Sequence, residues 1–255
     1  MFEDIPIKFF KGTHRIRDPK ETIEINEDKL RTAGITRLTE ITDLDRVKIP
    51  VFSAIRPTAQ SGGVSVYAGK GATVEQAKAS AMMEGFERYS AERQEIDGER
   101  TFVDTYNNIK NDKNVLDPKD LLLPKNYGNE NVENSRLEWI EAEDIISEET
   151  IYVPSNAVFH PYIPTRDVSP SPIAIFKGNT NGLASGNIIE ESVLHGVAAL
   201  KRPAKEIRKS GQTAVRSEWK TRVCRNRCFS NTFSGLRQKQ RNCRSSFRGS
   251  ICKKS

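Results

Sequence analysis

The densest chemistry in the chain lies between Gly69 and Arg93, GKGATVEQAKASAMMEGFERYSAER. Wound at 3.6 residues per turn, this stretch places Ala77, Ser80, Glu84, Glu87, Arg88 and Ala91 on one stripe. A hydroxyl, two carboxylates and a guanidinium thus line up among alanines rather than lysines. The ordinary reading of a lone E-x-x-E-R is a solvated face with a Glu84 to Arg88 pair worth a few tenths of a kcal/mol. Against it stands the run Gly69-Lys70-Gly71 at the start of the same helix, where free N–H groups can hold phosphate. A second stretch, NTNGLASGN from Asn179 to Asn187, also joins a strand to a helix and sets Glu191 four residues after Asn187. Asparagine and glycine at this density suit an ordinary connector as well, because both tolerate positive φ. Two strand–glycine turn–helix units together predict a cleft floored by helix N-termini. Its carboxylates would hold a divalent cation against phosphate oxygens. Carboxylates alone would repel a nucleotide, so Mg²⁺ is part of the expectation.

The elements that must position these residues can be read in order. Residues 5–16 predict an entry strand and a basic turn with Lys11, His14 and Arg15. Asp18-Pro19 starts a helix that stops at Gly34. A short strand over Thr36 to Leu38 follows, then a buried strand in RVKIPVFSAIRP carrying Val47, Ile49, Val51, Phe52 and Ile55. Residues 64–68 form the strand that feeds the motif helix, which begins at Thr73 with a capping box to Gln76 and ends near Arg93. Its core stripe is Val74, Ala81, Met82, Gly85, Phe86 and Tyr89. GKG is not a Walker A motif, whose glycines are spaced differently. Downstream, 101–124 reads as a polar loop with an apolar LLLP plug. LEWIEAEDI and EETIYVPSNAVFHPYIP read as a strand pair with Trp139 in the core, and IAIFKG as a further strand leading to the helix IIEESVLHG. The expected fold is α+β, with mixed or antiparallel strands and the two motif helices laid on one side.

Composition divides the chain. Of 40 basic and 34 acidic residues, 17 and 2 fall in 201–255, leaving 23 and 32 in the first 200, a net of −9. All four cysteines, Cys224, Cys228, Cys243 and Cys252, lie in the basic region, spaced C-x3-C-x14-C-x8-C, which matches no common zinc pattern. Mean hydropathy is −0.60 and no apolar run approaches a membrane span. MFEDIPIKFF carries acids where a secretory signal would carry basic residues. The expectation is a cytoplasmic protein without structural disulfides.

Taken in order, GKGAT at 69–73, Ser80, Glu84, Glu87 and Arg88, and the NTNGLASGN run ending at Asn187 with Glu191 resemble the YcaO family of ATP-dependent enzymes that activate peptide amides. GITRLTEITDLDRVKIPVFSAIRP at 34–57 and VPSNAVFHPY from Val153 support the likeness, which covers roughly residues 8–197. The resemblance implies that Glu84, Glu87 and Glu191 coordinate Mg²⁺ on ATP phosphates, with Ser80, Arg88, Asn187 and Lys70 positioning the nucleotide. It implies amide O-phosphorylation followed by attack of sulfide, giving a thioamide, or of a neighbouring side chain, giving an azoline. The KGTHRIRDPKET opening is most similar to methanogen-type members, associated with thioglycine formation in methyl-coenzyme M reductase. The implied partners are a peptide or protein substrate such as that reductase and an accessory protein bringing sulfide or peptide; neither a membrane nor nucleic acid is implied.

The resemblance stops after Val197. Members continue the helix to a second E-x-x-E-R, whereas this chain reads AALKRPAKEIRKSG, with Ala199 and Arg202 near the expected glutamates and Pro203 expected to interrupt the helix. The expected organisation is 1–197 as the N-terminal part of a YcaO domain and 198–255 as a basic tail. The tail reads as out-of-frame sequence, with a basic arm carrying Trp219, Phe229, Phe233 and Phe247, or a zinc module, as alternatives. The rival function is a non-catalytic protein that binds nucleic acid or an acidic partner through this tail.

Overall fold

The structure is a computed structural model that describes residues 5–10, 12–124, 129–165 and 168–209. Lys11 and everything from Ser210, including the four cysteines and the tail aromatics, lie outside the described residues. The strands are β1 (Lys8–Phe10), β2 (Thr13–Arg15), β3 (Arg37–Glu40), β4 (Val51–Ile55), β5 (Val66–Lys70), β6 (Thr101–Asp104), β7 (Leu137–Glu143) and β8 (Thr150–Pro154). The helices are α1 (Pro19–Asn26), α2 (Val74–Ala91), α3 (Tyr106–Ile109), α4 (Asn129–Glu133) and α5 (Ile189–Lys209). The pairings β1-β2, β3-β4-β5 and β6-β7-β8 are all antiparallel, so the α+β expectation holds, with the strands shared among three small sheets. Among the described residues no helix is long and apolar enough to cross a membrane.

The Asp18 carboxylate accepts from Lys20 N at 2.8 Å, which starts α1 as predicted, but the helix ends at Asn26 and not at Gly34. The buried Asn26 amide donates back to Thr22 O at 2.8 Å, and a tighter turn over Glu27–Lys29 leads on to Gly34, whose φ is 74°. In the next sheet, Phe52 and Ala54 of β4 pair with Gly69 and Tyr67 of β5 on the buried side, while Val66, Ala68 and Lys70 face out. Val47 and Ile49, expected inside this strand, precede it and are exposed. The chain is still turning there: Asp45 Oδ1 accepts from Val47 N and Lys48 N, and Lys48 has a φ of 62°.

Two further expectations about the motif helix are corrected. Gly69 and Lys70 are not a turn but the last residues of β5, paired with Phe52 and Val51. Gly69 is needed for close approach, since a Cβ there would sit 2.0 Å from Ala81 N and 2.5 Å from Ala77 O. Helix α2 therefore lies directly on the strand, and Ala77 and Ala81 are fully buried at the contact. Ala77 thus belongs to the core side, while Val74, expected in the core, is exposed. The Thr73 cap is present, its hydroxyl accepting from Gln76 N at 3.2 Å, but Gln76 Oε1 reaches Ala72 N at 2.9 Å instead of completing the capping box.

The end of α2 is tied to both larger sheets. Arg56, just past β4, makes a two-pronged pair with Glu92, the C-cap residue; one arm is 2.9 Å and the two side chains are 2% and 5% exposed. Glu92 Oε1 also accepts from Gln60 N at 2.9 Å, and Arg56 Nε donates to Tyr67 OH at 3.1 Å. The next residue, Arg93, pairs with buried Glu138 of β7 and lies 4.7 Å from the Phe159 ring centre.

In the third sheet Trp139 is fully buried, as expected, and its Nε1 donates to Asp104 O at 3.0 Å. Thr101–Asp104, expected in a loop, instead form β6 against β7. Leu121 and Leu123 of the LLLP plug pack on the core while Leu122 is exposed. IAIFKG forms no strand: Ile173 N donates to Arg136 O, and Phe176 N to the Asn156 side chain at 2.7 Å, so its donors serve single contacts rather than a ladder. Helix α5 continues through Pro203 to Lys209, against the expected break; one missing N–H removes one bond without ending the helix.

The packing of α2 on β5 leads to a direct check. Gly69→Ala should destabilise the protein by about 3 kcal/mol or more, because the new methyl meets backbone atoms that cannot give way. Gly98→Ala, where nothing lies within 4 Å, should stay within about 0.5 kcal/mol of wild type in the same urea melts.

Candidate functional site

A cleft of about 440 Å³ opens where the β1-β2 hairpin, the start of α1, the end of β5, one face of α2 and the first turn of α5 come together. Lys70, Ser80, Glu84, Glu87, Arg88, Asn187 and Glu191 all line it. Lys70 reaches it because alternation along β5 turns Lys70 outward while Gly69 faces α2. Ser80, Glu84, Glu87 and Arg88 are brought in by the turn of α2.

On α2 a single guanidinium nitrogen serves two carboxylates. Arg88 Nη2 lies 3.4 Å from Glu84 Oε1 and 3.5 Å from Glu87 Oε1, and Arg88 Nη1 is buried with no partner. Burial pushes the Glu87 carboxyl up to about 7; Arg88 opposes the rise and the charge of Glu84 adds to it.

The loop before α5 is fixed against α2 by Ser185 Oγ, which donates to Met83 O at 2.9 Å. Gly186 lets it close tightly, since a Cβ there would stand 2.7 Å from Ser192 N. Asn187 donates twice to Glu191 Oε2, from N and Nδ2, each at 3.1 Å, leaving its buried Oδ1 without a partner. Glu191 Oε1 lies 3.2 Å from Arg15 Nε.

The three carboxylates share the cleft without forming one coordination sphere. Among the described residues no three acidic, histidine or cysteine side chains converge in a way that could hold a metal ion. Arginines take the carboxylates instead, Arg88 those of α2 and Arg15 that of Glu191. The donor set nonetheless suits a hard cation, for Glu84, Glu87, Glu191, Ser80 Oγ and Asn187 Oδ1 offer only oxygen. Arg15, Arg17, Lys70 and Arg88 supply positive charge for an anionic ligand.

Sequence reasoning missed Arg17 as a cleft residue and read Arg15 only as part of a basic turn. Arg17 Nη1 donates to Glu21 at 2.7 Å, while its Nε is buried without a partner. Nothing periodic links residue 15 to residue 191; the one available signal was the density of basic residues ahead of Asp18.

Residues 68–200 match the family described as YcaO cyclodehydratase, ATP- and Mg²⁺-binding. A protein of Methanothermobacter thermautotrophicus is 53% identical over 179 residues, covering 70% of this chain and 43% of that protein. The structure of YcaO from Methanopyrus kandleri bound with AMPPCP and Mg²⁺ superimposes with a TM-score of 0.51 at 30% identity, covering 73% of this chain and 42% of that one. A heterocyclase in complex with substrate and cofactor gives 0.55 at 21% identity, covering 76% and 28%, a likeness of fold alone. The chain thus spans less than half the length of these relatives.

The raised Glu87 pKa makes stability depend on pH. A carboxyl at about 7 in the folded protein and 4.5 unfolded binds its proton more tightly when folded. Its stabilising contribution is therefore full below about pH 4.5, declines as pH rises to about 7, and is absent above. Glu87→Gln, which cannot ionise, should melt progressively higher than wild type as pH goes from 5 to 8 in metal-free buffer. The gain should be on the order of 3 kcal/mol at most. A pH-independent difference in melting temperature would contradict the assignment.

Proposed function

Because the chain belongs to the YcaO family, we propose that its cleft binds ATP with Mg²⁺ in the service of peptide amide activation. The carrying observation is the pair of stranded polar atoms in the cleft, Arg88 Nη1 as donor and Asn187 Oδ1 as acceptor, contributed by two different elements. Burying such groups unpaired costs roughly 1–3 kcal/mol each, a cost that a bound phosphate and cation would remove.

Glu84, Glu87 and Glu191, with Asn187 Oδ1, would hold the cation. Lys70, Ser80 and the free edge of Arg88 would hold phosphate oxygens. Bound Mg²⁺ supplies charge neutralisation where phosphate meets carboxylate, and polarises the phosphoryl group. The Arg88 guanidinium leans on Glu84 and Glu87 through Nη2, which leaves Nη1 as a donor for a ligand. Glu87, half-protonated near neutral pH, would give up its proton as the cation binds.

The reaction class we propose is phosphorylation of a substrate amide oxygen at the expense of ATP. Addition of a nucleophile at the activated carbon and departure of phosphate would follow. Sulfide gives a thioamide such as thioglycine, and a neighbouring Cys, Ser or Thr gives an azoline. The solved YcaO bound with AMPPCP and Mg²⁺, at 30% identity, supports the nucleotide and cation part of this reading. A peptide or protein substrate, methyl-coenzyme M reductase among the candidates, and an accessory protein that delivers sulfide or peptide belong to the same proposal. The second E-x-x-E-R expected beyond His195 is absent from the sequence, and Ala199 offers no ligand. Nucleotide binding is accordingly the activity to measure first.

Calorimetric titration of the full chain with Mg·AMPPCP should show saturable binding. Glu84→Ala and Glu191→Ala should each weaken it about tenfold or more, and Arg88→Lys by about tenfold, since an ammonium cannot reproduce the forked contact. No binding at millimolar ligand, or equal affinity in all four proteins, would overturn the proposal.

A further inference from the structure

The charge on Glu191 is met by a residue from the other end of the described chain. Glu191 Oε2 accepts both Asn187 donors and Oε1 faces Arg15 Nε at 3.2 Å, so both oxygens are engaged on a side chain only 9% exposed. Arg15 is different in kind. Its side chain is 44% exposed, it is the last residue of β2, where it pairs with Lys8, and its Nη1 donates to His14 O at 2.9 Å. The hairpin that carries it has two strands of three residues each, with a tie to α2 through Gln76 Nε2 and Phe10 O at 3.2 Å. Beside the same carboxylate, Asn187 is 3% exposed and its Oδ1 has no partner.

A firmly held carboxylate, a loosely carried guanidinium and a stranded acceptor make an exchange site. On the nucleotide and cation reading given above, we propose that Arg15 is a displaceable internal counter-ion. A divalent cation that reaches Glu191 and Asn187 Oδ1 expels the Arg15 guanidinium from Glu191 Oε1 and releases the β1-β2 hairpin. The physical reason is that guanidinium cannot shed its proton, so it cannot be neutralised where it stands and must move away from an arriving dication. Its own hold is weak, because the Arg15 side chain is nearly half-exposed and water screens its attraction to Glu191. Arg88 differs in that both of its carboxylate partners lie on its own helix, so a shift of its guanidinium releases no element of the fold. The freed Arg15 then stands at the mouth of the cleft, ready for the anionic groups that accompany the cation. The hairpin position thereby reports whether the cation is bound.

Hydrogen exchange on the full chain tests this with Mg²⁺ alone and with Mg·AMPPCP. Backbone amides of residues 13–16 should exchange faster when Mg²⁺ alone is added. In titrations with Mn²⁺ as a paramagnetic probe, Arg15→Gln should bind the ion about two- to fivefold more tightly than wild type, and Arg15→Lys should lie near wild type. Arg17→Gln removes a cleft charge that does not touch Glu191 and should give a smaller gain. Equal gains from Arg15→Gln and Arg17→Gln would reduce the effect to a general field and overturn displacement. Unchanged or slower hairpin exchange in a wild-type chain that binds the cation would overturn it as well, and this measurement decides alone if a variant fails to fold. A wild-type chain that binds neither Mg²⁺ nor Mg·AMPPCP would instead overturn the nucleotide reading, and this inference with it.

Discussion

Everything in the cleft depends on where α2 lies, and its end is held by two charged side chains next to each other in sequence. Glu92 turns to Arg56 beyond β4, and Arg93 turns to Glu138 on β7. Consecutive residues leaving a helix end point in different directions, so opposite charges there can address two different sheets. Both pairs are largely out of water, and burying such ions costs several kcal/mol apiece before their attraction is counted. Further hydrogen bonds offset part of that cost, from Gln60 N and Tyr67 OH on one side and from the Thr165 hydroxyl on the other, while Arg93 Nε stays buried without a partner. An apolar replacement of equal volume could match their stability; it could not fix the azimuth of the helix, and with it the direction of Glu84, Glu87 and Arg88.

The other end of α2 is positioned by the absence of a side chain. Gly69 lets Ala77 and Ala81 lie on the strand backbone, and the same alternation that buries Gly69 turns Lys70 into the cleft. One dipeptide therefore does two jobs that sequence inspection had merged into one anion-binding turn. The helix is thus pinned at its start by shape and at its finish by charge, and the polar stripe lies between the two.

This explains which parts were legible in the sequence. The stripe of Ser80, Glu84, Glu87 and Arg88 follows from helical periodicity alone, and the Asp18 and Thr73 caps from local chemistry, so these needed no tertiary knowledge. Asn187 and Glu191 were legible because they are four residues apart on one helix start. Arg15 with Glu191 and Arg56 with Glu92 were not, because such pairing is set by how separate elements dock and leaves no period behind. IAIFKG was misread for the same reason: its composition suits a strand, but the Asn156 amide takes the Phe176 N–H that a ladder would have used. Ala77 shows the limit of the period itself. An alanine fits either stripe, and only contact with Gly69 decides which side it takes.

The spacing of the motif settles a question that its composition leaves open. A run of glutamate, glutamate and arginine can be dismissed as a solvated face or claimed as a cation site, and the two readings look exclusive. In this geometry they are not. With carboxylates at positions i and i+3 and the guanidinium at i+4, a single Nη2 reaches both Glu84 and Glu87, so arginine is the resident cation of the stripe. The contacts are long, 3.4 and 3.5 Å, and so far from the strength of a well-formed pair. They balance the carboxylates without satisfying them, and burial keeps the Glu87 pKa raised despite its neighbour. The same spacing therefore stabilises the helix a little and leaves the charge of its carboxylates only partly balanced.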